Sequence, residues 1–208
     1  MTLDEALAIC PVVAIIRGVT PDEAEAIGEA LYAGGIRAVE VPLNSPEPLE
    51  SIRRLARAFE PRMVVGAGTV LSPDQVDAVR AAGGQIIVAP NTDPAVIRRA
   101  VELGLHPAPG FSTPTEAFQA IAAGARHLKL FPAVSFGPAH LRQIKAVLPL
   151  GVRVWAVGGV GPDSMAAWWE AGARGFGLGG ELYRAGQGTA ETRDKARAAV
   201  AAAAVLKP

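Results

Sequence analysis

The chain has 208 residues, of which 50% are hydrophobic and only 19% charged. That balance supports a large core and excludes a disordered chain. Twenty basic side chains against twenty acidic ones leave no charge footprint for nucleic acid or an anionic membrane, and the single cysteine, Cys10, excludes a disulfide framework or a cysteine-rich metal site. The N-terminal stretch MTLDEALAICPVV carries Asp4 and Glu5 where a secretory leader would have basic residues. No apolar run reaches the roughly 18 residues of a membrane span. A cytoplasmic protein is the expectation.

Short apolar or β-branched runs occur at Val12–Arg17, Ala38–Leu43, Met63–Gly68, Gln85–Ala89, His106–Pro109, His127–Phe131, Arg153–Val157 and Phe176–Leu178. Between them lie stretches with alanine, glutamate and arginine at helical spacing. Start signals precede several of these, at Thr20-Pro21-Asp22-Glu23, Ser72-Pro73-Asp74, Thr92-Asp93-Pro94, Thr113-Pro114-Thr115-Glu116 and Gly161-Pro162-Asp163. Stop glycines follow at Gly34-Gly35, Gly83-Gly84, Gly104, Gly124 and Gly172, and the alanine-rich Ala196–Ala204 reads as a solvated C-terminal helix. Strand, turn, helix and glycine stop thus repeat, and sequential βα units require parallel strands with right-handed crossovers. Eight such units close most naturally into a single (β/α)8 TIM barrel spanning residues 1–208; a doubly wound open sheet is the competing architecture. No composition break divides the chain into two domains.

In such a barrel the site lies at the C-terminal ends of the strands. The polar residues within or just after the apolar runs are Arg17, Glu40, Thr69 and Lys129. Only four lysines occur; Lys145 falls on a predicted helix, and Lys195 and Lys207 lie near the C-terminus. Strand alternation sends Leu128 and Leu130 toward the helices and His127, Lys129 and Phe131 inward. Burial disfavours an ammonium, and a neutral amine is a nucleophile toward carbonyls. By the same alternation Glu40 points inward, where it could shuttle protons for carbonyl chemistry. A plain Glu40–Lys129 salt bridge is the competing reading. Arg17 could hold a substrate carboxylate in a bidentate grip, or form an ion pair across the barrel mouth. Thr69 follows Gly66-Ala67-Gly68, where backbone can approach a ligand closely or simply pack tightly. The pairs Gly158-Gly159 and Gly179-Gly180 follow the last two runs, a position at which barrels often hold phosphate. His106, His127 and His140 show no metal-ligand spacing, and neither a dinucleotide fingerprint nor a phosphate-loop motif occurs, so neither metal nor cofactor is expected. Cys10 reads as a small packing residue at the other end of the first strand.

The segments IIRGV, GGIRAVEVPLNSP, VGAGTVLSPDQVDA, IIVAPN, LKLFPAVSFGP, WAVGGV and GLGGELYRAGQ run in order over nearly the whole chain. In them the chain resembles the class I aldolases that cleave 2-keto-3-deoxy-6-phospho-sugar acids. The resemblance implies a homotrimer of (β/α)8 barrels that needs no cofactor and releases pyruvate and glyceraldehyde 3-phosphate. It implies a Schiff-base lysine at Lys129, a catalytic glutamate at Glu40 and carboxylate contacts from Arg17 and Thr69. It further implies substrate contacts from Pro90 and Phe131, and phosphate loops at Gly158, Gly159, Gly179 and Gly180. The family's two branches act on the phosphogluconate or the phosphogalactonate epimer. Pro42, Asn44, Ser45 and Val157 depart from the gluconate pattern and resemble the galactonate branch. Gly180 stands where the family often has serine, so a hydroxyl contact to phosphate is lost. Rival readings are a sugar-phosphate isomerase or epimerase and a non-catalytic sugar-phosphate sensor.

Overall fold

A computed structural model describes residues 1–206; Lys207 lies outside the described residues. The elements run α1 (Leu3–Ile9), β1 (Val12–Ile15), α2 (Pro21–Ala33), β2 (Ala38–Pro42), α3 (Pro48–Phe59), β3 (Val64–Gly68), α4 (Pro73–Ala81), β4 (Ile86–Val88), α5 (Pro94–Glu102), β5 (His106–Ala108), β6 (Gly110–Phe111), α6 (Pro114–Ala122), β7 (His127–Leu130), α7 (Ala133–Lys145), β8 (Arg153–Val157), α8 (Met165–Glu170), β9 (Gly175–Leu178) and α9 (Thr189–Ala204). The strands are all parallel, in the order β5-β4-β3-β2-β1-β9-β8-β7-β6. This is the expected α/β barrel rather than an open doubly wound sheet.

Nine strands fill eight barrel positions because β5 and β6 are halves of one. Between them stands Pro109, which has no N–H to give the ladder. Its carbonyl still accepts from the Lys129 N–H at 2.8 Å. β5 pairs with β4 and β6 with β7, so the proline break is also where the ring closes.

The start signals work as the sequence suggests. Thr20 N–H donates to the Glu23 carboxylate at 3.1 Å, Ser72 Oγ accepts from Gln75 N–H at 3.3 Å, and Asp93 Oδ1 accepts from Ala95 N–H at 2.8 Å. Each satisfies a backbone or side-chain group that a helix start leaves open.

Helix α1 is absent from the sequence expectation. Thr2 and Glu5 cap it reciprocally, with Thr2 N–H donating to Glu5 Oε2 at 2.7 Å and Glu5 N–H to Thr2 Oγ1 at 3.2 Å. Its Leu3, Ala6 and Leu7 plug the N-terminal end of the barrel, packing with Val13, Ala38, Val64, Ile86, Val88, Ala108, Trp155 and Val157. The outward side chains Val39, Val41, Leu128 and Leu130 join the helices in a second, larger core. The floor is therefore closed by apolar side chains, which leaves the opposite end as the open one.

Candidate active site

Glu40 occupies the middle of β2 and is 2% exposed; Lys129, on β7, is 7% exposed. Burial on this scale opposes both charges. It raises the Glu40 carboxyl to about 7, outweighing the attraction of Lys129 and Arg17. Burial likewise lowers Lys129; Glu40 opposes that shift and the Arg17 charge adds to it. The two side chains sense each other without closing into a salt bridge. Glu40 Oε2 has no hydrogen-bond partner, and neither side chain is in an ion pair among the described residues. The Lys129 Nζ instead lies 4.5 Å from the centroid of the Phe131 ring.

Close backbone approach shapes the space around Glu40. A Cβ on Gly68 would collide with the Glu40 carboxylate, so the glycine makes room for it. Thr69 follows at φ 57°, a left-handed backbone that a β-branched residue rarely adopts. Local sequence does not announce that strain. Arg17 and Thr69 are not within strands; both stand just past a strand's C-terminal end. Arg17 is exposed, and its Nη1 donates to Asn44 Oδ1. The next residue, Gly18, donates its N–H to Ser45 Oγ at 3.0 Å.

The glycine pairs sit at the ends of neighbouring strands, since β8 pairs with β9 through Val157 and Gly177. Gly158 and Gly159 have φ of 93° and 71°, and a Cβ on Gly158 would press on the Phe131 ring. Phe131 thus links the lysine to this loop. By contrast Gly179 faces open space, and a Cβ on Gly180 would meet only Arg184 Nε, at 3.9 Å. The Gly179 carbonyl accepts from the N–H groups of Leu182 and Tyr183, at 2.8 and 2.9 Å, forming a single turn. Pro90 follows β4, with its carbonyl packed against Gly110 of β6.

The sequence-predicted residues therefore gather at the C-terminal mouth of the barrel. Sequence reasoning did not foresee the Asn44 and Ser45 contacts to the Arg17 turn. A turn between adjacent strands cannot be paired with its neighbour by local pattern. At the other end, a cavity of about 510 Å³ among α1, α8 and α9 is lined by residues including Leu7, Cys10, Arg153 and Arg174. It contains none of the predicted site residues. Cys10 there is 2% exposed and burial pushes its thiol up to about 11, as suits a packing residue.

Fold and site together define a (β/α)8 barrel with an interior lysine and glutamate in electrostatic contact beneath two glycine loops. The family of KDPG and KHG aldolases matches residues 3–198, and the chain belongs to that family. It is 50% identical, over 92% of its length, to the 2-dehydro-3-deoxy-6-phosphogalactonate aldolase of Escherichia coli strain K12, of which it covers 94%. It is 36% identical to the 2-dehydro-3-deoxy-phosphogluconate aldolase of Pseudomonas aeruginosa, over 79% of this chain and 73% of that protein. A solved structure described as native KDPGal superposes with a TM-score of 0.91 at 50% identity, over 92% of this chain and 93% of that one.

Proposed function

We propose that this protein is a class I aldolase that cleaves 2-keto-3-deoxy-6-phosphogalactonate to pyruvate and D-glyceraldehyde 3-phosphate. The observation that carries the reading is Lys129, buried in the barrel, outside any ion pair among the described residues and beside a carboxyl raised to about 7. Lys129 Nζ, as the free amine, adds to the C2 ketone. One proton passes from the added nitrogen to the C2 oxygen and Glu40 gives the second, so that the oxygen leaves as water and the iminium forms. Glu40, directly or through a water, then takes the C4 hydroxyl proton. The C3–C4 electrons move into a C2–C3 enamine, and glyceraldehyde 3-phosphate departs. Protonation at C3 and hydrolysis of the iminium release pyruvate and restore the lysine. A carboxyl near 7 suits both directions of transfer, because acid and base forms coexist at neutral pH.

Arg17 and Thr69 hold the substrate carboxylate in this reading, and Pro90 and Phe131 wall the reacting carbons. Gly158, Gly159, Gly179 and Gly180 receive the phosphate through backbone N–H groups. Two anchors at opposite ends of the substrate orient the bond to be broken. Val157 supports the galactonate preference. It is 3% exposed on the inner face and offers methyl groups where a threonine would offer a hydroxyl. We also infer one domain and a cytoplasmic site of action from the sequence pattern, and a homotrimer from the family resemblance; sedimentation equilibrium tests the trimer. Among the described residues no helix is long and apolar enough to cross a membrane.

Borohydride reduction in the presence of pyruvate tests the chemistry. A three-carbon adduct on Lys129 is expected, and none in Lys129→Met. Absence of the adduct in the unaltered protein removes the Schiff-base reading and favours a sensor or an isomerase. Cleavage rates on the two purified epimers test the substrate, with the galactonate form expected to react faster.

A further inference from the structure

We propose that Asn44 and Ser45 are positioning residues that hold Arg17 as an uncommitted cation at the barrel mouth, ready for the substrate carboxylate. The inference deepens the reading above and rests on Arg17 being the carboxylate grip. Arg17 is exposed, on a turn, and long arginine side chains lose considerable rotamer freedom when fixed. Something must limit that freedom before substrate arrives. Two consecutive residues from the end of β2 do so, in different ways. Asn44 Oδ1 accepts from Arg17 Nη1, and Ser45 Oγ accepts from the Gly18 N–H at 3.0 Å. Ser45 is itself fixed, its N–H donating to the Pro42 carbonyl at 2.9 Å. From the other side, a Cβ on Gly18 would lie 2.9 Å from Ala185 Cβ, so the turn is held between two loops.

The chemical identity of the acceptor matters. An amide oxygen takes one guanidinium proton without cancelling its charge, whereas a carboxylate would form a bidentate pair. Arg17 is in no ion pair among the described residues. Its charge nonetheless reaches the interior, since it draws Glu40 down and pushes Lys129 down. A neutral acceptor therefore preserves both the grip and the field.

The deciding variant is Asn44→Asp, which keeps shape and acceptor but adds the charge. Pyruvate KM in the condensation with D-glyceraldehyde 3-phosphate, and pyruvate half-saturation in borohydride trapping, should both rise about 10- to 100-fold. The condensation kcat should change by less than about threefold, as expected when ground-state and transition-state binding are lost together. The limb of the kcat/KM profile that Glu40 sets should move to higher pH, because Arg17 no longer draws Glu40 down. Ser45→Ala should raise KM by a smaller factor, about 3- to 10-fold, and Ser45→Thr should restore it. Arg17→Ala supplies the control. In that background Asn44→Asp should add nothing to KM. Near-UV circular dichroism confirms that each variant is folded, and a role in packing alone would leave Asn44→Asp kinetically silent. An unchanged KM and pH profile for folded Asn44→Asp, with KM raised by Arg17→Ala, overturns the positioning role alone. An unchanged KM for Arg17→Ala overturns the grip reading and the positioning role with it.

Discussion

Replacing Glu40 by glutamine should make the stability of this protein depend on pH in a new way. The carboxyl is 2% exposed and its proton affinity is raised from the ordinary 4.5 to about 7, with burial as the dominant cause. The folded state therefore holds a proton that the unfolded chain releases near 4.5. Stability from this group is intact below about pH 4.5 and falls as pH rises through about 7. A displacement of that size corresponds to about 3 kcal/mol. Glutamine has no such titration. It adds a pH-independent loss from imperfect amide pairing, on the order of 1–3 kcal/mol, which cancels when two pH values are compared. The stability of Glu40→Gln relative to the parent should thus rise by about 3 kcal/mol between pH 4.5 and 7.5 and stay level above. Urea unfolding at one fixed protein concentration measures it, so that any subunit association contributes equally. Cleavage activity should be lost throughout. A stability difference that stays constant across this range would refute the claim that burial of Glu40 opposes its charge.

Three further outcomes follow from the same geometry. Gly68→Ala places a methyl group into the Glu40 carboxylate. It should cost about 1–3 kcal/mol of stability and at least about tenfold in kcat, read by urea unfolding and steady-state cleavage. Val157→Thr puts a hydroxyl on the inner face beside the glycine loop and should shift the epimer ratio of kcat/KM toward the gluconate form by about tenfold. His127 is 6% exposed and burial lowers it from 6.5 to about 4, against the attraction of Asp4. Its stabilising contribution is present above 6.5 and lost as pH falls through about 4. His127→Leu should remove about 3 kcal/mol of acid sensitivity in that window, read as the difference between its urea-unfolding free energy and the parent's at each pH.

Much of the site was legible because the chain breaks its own pattern there. Glu40 and Lys129 stand in runs otherwise apolar, and alternation alone turns both inward. Gly158 and Gly159 were visible as a pair, and their positive φ explains the residue choice. Gly179 and Gly180 looked equivalent in sequence, yet only the first pair is required sterically. The single βα position spanning β5 and β6 read as one shorter run, because Pro109 ends a ladder locally while its carbonyl maintains the ring. Helix α1 escaped because seven residues carry too few turns for periodicity, although its Thr2–Glu5 capping box is present in the sequence. The links from Asn44 and Ser45 to Arg17 and Gly18 were invisible for a different reason. Each spans 27 residues and depends on the barrel bringing two turns together.

Glu40 and His127 carry opposite burdens inside one barrel. His127 lies two residues before Lys129 on the same strand and faces the floor, where its Nε2 sits 3.2 Å from Asp4 Oδ1. Burial keeps the carboxyl protonated up to about 7 and the imidazole unprotonated down to about 4. Between roughly pH 4.5 and 6.5 the unfolded chain would carry both charges, whereas the fold keeps both groups neutral. One effect weakens the fold as pH rises and the other strengthens it, so their slopes oppose over most of that interval. The parent protein should look nearly insensitive to pH there while concealing two substantial terms. That masking has a functional side. An interior with few fixed charges weakens solvation of the Lys129 ammonium, and the resulting penalty favours the free amine that the proposed carbonyl attack needs. The floor that plugs the barrel and the mouth proposed for the chemistry therefore share one physical condition, an interior lined by buried apolar side chains.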